Sequence, residues 1–213
     1  MSASEAVSGW IEANWSLDLT LAEWWQRLAD AGYAFPQWPE GFGGSDASAA
    51  SSAEIQSILG RHGVIGPPTG NAPNMGVPTL LAHGTDDQQQ RFITPVANGQ
   101  NQWCQLFSEP GAGSDLASLA TRAERDGDEF VVTGQKVWNS SADTSEWGML
   151  VARTNPDVPK HAGITWMMID MRQPGVEVRP LVQMNGSAEF CEVFLTEARV
   201  PVENVIGRID DGW

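Results

Sequence analysis

The chain has 213 residues, 41% hydrophobic and 18% charged, the make-up of an ordinary globular protein with room for one large or two modest cores. Its formal net charge of -15 is spread over both halves, which argues against a nucleic-acid partner or an anionic membrane and means that an anionic ligand needs a local basic pocket. Cys104 and Cys191 have neither metal spacing nor a disulfide framework, no apolar run approaches ~20 residues, and the N-terminus lacks signal-peptide regions, so the reading is cytoplasmic without a membrane span.

The first half reads as helical. Thr20-Leu-Ala-Glu23 is a capping box opening a helix with the apolar stripe Leu21, Trp24, Trp25 and Leu28, and Gly32 stops it. Gly41–Gly44 is a loop, a second helix spans Ala49–Leu59, and a short one spans Val77–Ala82. Thr85-Asp-Asp-Gln88 is another capping box, opening a helix that Pro95 kinks and Gly99 ends. Of the 12 Lys and Arg residues, only Arg27, Arg61 and Arg91 precede Cys104.

From Trp103 the apolar period falls to two. Strands are predicted at Gln102–Phe107, Leu119–Glu124, Glu129–Gln135, Gly148–Thr154, Ile164–Asp170, Val176–Leu181 and Glu192–Leu195, with turns at Asp126-Gly127 and Pro174-Gly175. The fold class is therefore α+β with two domains: an all-α N-terminal domain over residues 1–103, then an antiparallel β-barrel or sandwich middle domain over residues 104–213. Val205–Trp213 leaves the last strand for a turn, and an ending on Gly-Trp is expected to mark a cut before another domain.

Gly111-Ala-Gly-Ser-Asp-Leu116 resembles a dinucleotide fingerprint only superficially, since Leu116 occupies the third glycine position and no βαβ unit follows. What remains is a small-residue loop whose backbone N–H groups, with the Ser114 hydroxyl, suit a phosphate or another ligand oxygen; alone it reads as an ordinary turn. The patch Gly134-Gln-Lys-Val-Trp-Asn-Ser-Ser141 changes that balance. An isoalloxazine ring needs an apolar wall and hydrogen-bond donors. Trp138 supplies the wall and Ser108 and Ser140 the hydroxyls, from two patches expected on adjacent strands. Plain core packing is the competing reading for Trp138, because ten Trp residues cannot all be functional.

These motifs resemble the N-terminal and middle domains of the acyl-CoA dehydrogenase family. The likeness runs through W-P-E-G-F-G-G at Trp38–Gly44, G-T-D-D-Q-Q-Q-R-F-I-T-P at Gly84–Pro95, S-E-P-G-A-G-S-D at Ser108–Asp115, G-Q-K-V-W-N-S-S at Gly134–Ser141 and R-V-P-V-E-N-V-I-G at Arg199–Gly207. It implies FAD as cofactor, with Gln105, Phe107 and Ser108 on a flavin-contacting strand, Ser114 touching the acyl-CoA and flavin region, and Trp138, Asn139 and Ser140 in the flavin segment. Two departures stand out. Ser108 replaces a common Thr, and Asn139 replaces a more usual apolar or Thr residue, so a backbone contact is expected from Asn139. Pro159–Thr165 and Gln183–Phe194 are similar to bacterial, many of them actinobacterial, members, some acting on bulky or steroid-side-chain CoA esters.

The resemblance implies α,β-dehydrogenation of an acyl-CoA thioester, with an electron-transfer flavoprotein as acceptor and a homo- or hetero-oligomeric assembly. The family's base is a Glu on a C-terminal helical domain, so no catalytic residue is assigned within these 213 residues and the chain alone is expected to be inactive. Glu109 reads as structural, fixing the turn before Pro110, and Asp115 as a loop or helix cap. His62 and His83 sit at helix ends, His161 lies in a hairpin loop, and no ligand set has metal spacing. Two other classes stay open: a short non-catalytic subunit that binds flavin or acyl-CoA or partners a complete enzyme, and an oxygen-using oxidase or monooxygenase.

Overall fold

The computed structural model describes residues 3–213 and divides them into two compact units. One holds the chain up to Pro73 together with Asp86–Gln100; the other holds Asn74–Thr85 and Asn101–Trp213. No described helix is long and apolar enough to cross a membrane.

The helical unit begins with α1 (Ala3–Asn14), which the sequence reading passed over. Its Val7, Trp10, Ile11 and Asn14 follow an i, i+3, i+4, i+7 spacing, and Val7 and Ile11 are buried. α2 (Leu21–Asp30) opens on the expected capping box: Thr20 N donates to Glu23 Oε2 at 2.8 Å, and Glu23 N donates to Thr20 Oγ1 at 3.3 Å. Trp24 and Leu28 of its stripe are fully buried, whereas Leu21 points to solvent. α3 (Ala49–Arg61) supplies Ile58 and Leu59 to the same core. The Trp38 loop is closed by its own backbone bonds and by Phe35 stacked on Trp38 at 3.9 Å.

A π-helical turn at Ala72–Gly76 leads into α4 (Val77–His83). α4 precedes the expected boundary at residue 103 yet groups with the β unit, because Gly76 backs onto Trp103: a Cβ there would fall 2.5 Å from the Trp103 ring and 2.8 Å from Met149 Sδ. α5 (Asp86–Ala97) runs through Pro95 and buries Phe92, Ile93, Val96 and Ala97.

The β unit is one seven-stranded sheet: β1 (Trp103–Leu106), β2 (Arg122–Asp126), β3 (Glu129–Ser140), β4 (Trp147–Arg153), β5 (Ile164–Asp170), β6 (Val176–Leu181) and β7 (Phe190–Pro201). Neighbours run β1-β4-β2-β3-β7-β6, and β5 covers the other side of β4. The helical-then-β order is as read from the sequence, but the sheet is mixed rather than antiparallel throughout. β4 runs parallel to β1 (Trp103 opposite Trp147) and meets β2 in a parallel pairing at Arg122–Arg153. Inward residues of β1, β3, β4, β5 and β7 share one core, including Leu106, Val132, Leu150, Ile169 and Val193.

Val205–Trp213 is docked onto this unit. Asp211 bridges to Ile164, Gly212 N donates to Ile164 O at 2.8 Å, and Thr165 Oγ1 accepts from Asp210 N at 2.8 Å. A Cβ at Gly212 would lie 2.4 Å from Trp166 N, so this approach requires glycine.

Candidate functional site

β3 carries the centre of the site. Its ladder with β7 slips between Lys136 and Asn139, and within that bulge Trp138 adopts φ +65°. Val137 and Asn139 on either side are buried while the Trp138 indole is 62% exposed, with the Phe190 ring edge-on at 6.1 Å. A bulky residue in the left-handed region costs about 1–3 kcal/mol and persists only when its surroundings over-determine it. Three contacts do so here: Val137 N donates to Ser108 O at 2.9 Å, Asn139 Nδ2 donates to Gln105 O at 2.6 Å, and Ser140 pairs with Phe190. The exposed indole excludes the core-packing reading of Trp138.

These bonds join the two sequence patches, although β1 and β3 are not ladder neighbours as adjacent strands would be; β1 pairs with β4. Gln105 and Phe107 are half-buried and alternate with buried Cys104 and Leu106, so they face away from the core. Ser108 and Ser140 are half-buried, and their hydroxyls find no hydrogen-bond partner among the described residues. Asn139 engages its side-chain amide within the chain, and among the described residues its buried Oδ1 has no partner.

The structure thus brings Gln105, Ser108, Trp138, Asn139 and Ser140 together at the β1–β3 junction. Phe107 follows them in backbone but lines a cleft of about 530 Å³ with Pro78, Trp166 and Trp213, to which Trp138 and the two serines do not contribute. Ser114 lies further along, on the exposed Gly111–Asp115 loop. Asp115 occupies the N-cap position of a 3-10 turn at Leu116–Ser118 but makes no side-chain cap bond; its carboxylate instead takes Lys160 Nζ at 2.7 Å and the Ser118 hydroxyl at 2.6 Å. Those bonds hold the Asp115 carboxyl below its usual range, with the Lys160 hydrogen bond the main cause.

Beneath the junction is a buried ion pair that sequence reasoning missed on one side. Lys136 is fully buried, and its Nζ donates to Glu109 Oε1 at 2.8 Å, Phe107 O at 3.0 Å and Val151 O at 2.9 Å, using all three ammonium hydrogens. Glu109 accepts Thr121 N at 2.9 Å and Ala120 N at 2.6 Å, and its own backbone closes the turn through two bonds with Ala112. Burial raises the Glu109 carboxyl, but the Lys136 charge and these donors outweigh it and leave it below its usual value. Burial pushes the Lys136 amine down to about 8 against the pull of Glu109, so the pair is ionic at neutral pH. The signal was in the pattern: Val132, Gly134 and Lys136 share one alternation, and a lysine in an inward row requires a carboxylate.

Residues 5–100 match the family model "Acyl-CoA dehydrogenase, N-terminal domain", and residues 104–198 match "Acyl-CoA dehydrogenase, middle domain". The chain belongs to the acyl-CoA dehydrogenase family. It is 47% identical over 191 residues to acyl-CoA dehydrogenase FadE34 of Mycobacterium tuberculosis, covering 87% of this chain and 26% of that protein. With acyl-CoA dehydrogenase IpdE1 of the same organism it shares 44% over 190 residues, 89% of this chain and 49% of the relative. Among solved structures, the Tcur3481-Tcur3483 steroid ACAD and the ChsE4-ChsE5 complex from M. tuberculosis each superpose with a TM-score of 0.77 at 30% identity over 99% of this chain, covering 57% and 56% of theirs. The chain therefore spans about half or less of the curated relatives' length.

Proposed function

We propose that this chain forms the FAD- and acyl-CoA-facing part of an acyl-CoA dehydrogenase. The observation that carries the reading is the exposed Trp138 indole, fixed in a left-handed bulge and bonded across to Ser108. The donor set fits FAD: a flat aromatic face beside two hydroxyls without partners among the described residues, the requirements of a planar ring with a polar edge. FAD, when bound, supplies acceptance of a hydride from the β carbon of the thioester. The chain's part is binding and orientation. Trp138 walls the ring, Ser108 and Ser140 donate to its polar edge, Gln105 and Asn139 shape the floor, Phe107 borders the neighbouring cleft, and Ser114 faces the acyl-CoA.

Neither carboxylate of the motif is free to take an α proton, because Glu109 is held by Lys136, Ala120 and Thr121, and Asp115 by Lys160 and Ser118. We assign the base to sequence that the longer relatives carry beyond the matched stretch. The substrate proposed is a bulky acyl-CoA thioester of the steroid-side-chain kind, in line with the steroid ACAD among the similar structures. An electron-transfer flavoprotein as acceptor, an assembly with further copies or a related subunit, and a cytoplasmic location complete the proposal; the last fits the two free cysteines.

The Ser108→Ala/Ser140→Ala double variant tests the wall. Each lost hydrogen bond is worth roughly 0.5–1.5 kcal/mol, so with both removed FAD affinity should fall by roughly 5- to 150-fold in a flavin fluorescence titration. An affinity equal to that of the parent chain removes both hydroxyls from the site.

A further inference from the structure

The Lys136–Glu109 pair has no evident purpose in stability. A buried ion pair is commonly matched or bettered by apolar residues of the same volume, and the surrounding core is well supplied with them. What an apolar side chain cannot provide is direction. Lys136 Nζ sends one bond to the carbonyl of Phe107 at the end of β1, one to Val151 in β4, and one to Glu109, whose other bonds fix Ala120 and Thr121. Lys136 itself sits two residues before Trp138 on β3, at the edge of the register shift. One buried ammonium therefore adds, from beneath, to the Val137–Ser108 and Asn139–Gln105 bonds that tie the strand carrying Trp138 and Ser140 to the segment carrying Gln105 to Ser108.

We propose that Lys136, with Glu109, is a positioning pair for the flavin: it aligns the Trp138 indole and the Ser108 and Ser140 hydroxyls as one surface, without touching the ring. The proposal rests on the flavin reading above. Its test must separate positioning from folding. Lys136→Met with Glu109→Gln removes both charges together, so no uncompensated ion is left buried; because the Phe107 and Val151 carbonyls lose their donor, the full chain carrying both changes should stay folded with a lowered melting temperature. Its FAD affinity should nevertheless fall by about tenfold or more, since the Phe107 carbonyl loses a charge-assisted bond. The visible circular dichroism of the bound flavin, which reports the ring's asymmetric surroundings, should change in shape. Lys136→Gln with Glu109→Gln, which keeps two neutral N–H donors at position 136 and leaves no buried charge, is the milder second variant and should lie between.

A folded double variant with parental FAD affinity and an unchanged visible dichroism band overturns the proposal. Failure of both variants to fold overturns it too, by assigning the pair to stability. Absence of FAD binding by the parent chain instead overturns the flavin reading itself, and the two failures are thereby told apart.

Discussion

Replacing Lys136 by methionine alone should cost about 3–5 kcal/mol of stability, the usual loss when one partner of a buried pair is removed and the other stays charged. Here the survivor is Glu109, almost fully buried beneath the turn it closes. The pH dependence gives the loss a signature. In the parent chain the Glu109 carboxyl titrates below its usual value, so its contribution is fully present above about pH 4.5 and disappears as the pH falls through its folded value. Without Lys136 the carboxyl is raised by burial instead, so the gap between variant and parent should be widest near neutrality and should narrow on acidification. Urea unfolding at pH 7 and pH 4 measures both; a gap below about 1 kcal/mol at pH 7, or one that widens in acid, contradicts the account.

Trp24→Ala should be of similar size, about 3–5 kcal/mol, by cavity formation in the helical unit. Trp24 is fully buried, packs edge-on against Trp15 at 4.7 Å and tilted against Trp10 at 5.6 Å, and donates through Nε1 to Ile65 O at 2.6 Å. Alanine removes the ring contacts and leaves that carbonyl without its donor. Trp24→Phe, which refills most of the volume but not the bond, should recover all but about 1–2 kcal/mol. Equal losses for alanine and phenylalanine in the same unfolding measurement refute the packing argument.

The parts of this fold that sequence disclosed are the locally determined ones. Thr20 and Glu23 announce α2 because a capping box is a four-residue device, and β5 and β6 match their expected bounds because turns flank an apolar run in the first and an apolar–polar alternation in the second. β3 and β7 extend beyond expectation for one shared reason. Their ladder slips twice, leaving Thr196 and Glu197 exposed on one strand and Trp138 on the other, and each slip breaks the period-two pattern that marks a strand. The parallel pairing of β1 with β4 has no local signature, because both directions show the same alternation. At the site, the hydroxyl and aromatic residues were legible as motif members. The left-handed backbone of Trp138, the amide bond from Asn139 to Gln105 and the role of Lys136 were not, since each depends on partners about 30 residues away in sequence.

In the function proposed above, the Gln105–Ser108 and Val137–Ser140 segments form one flavin-facing surface. Amide hydrogen exchange of the whole chain with and without FAD tests it most directly. Exchange should slow in peptides covering residues 103–108 and 137–141, and that slowing should be lost in Trp138→Ala while the helical unit exchanges as before. Saturating FAD that leaves both segments unchanged, or that protects them equally in Trp138→Ala, would contradict it.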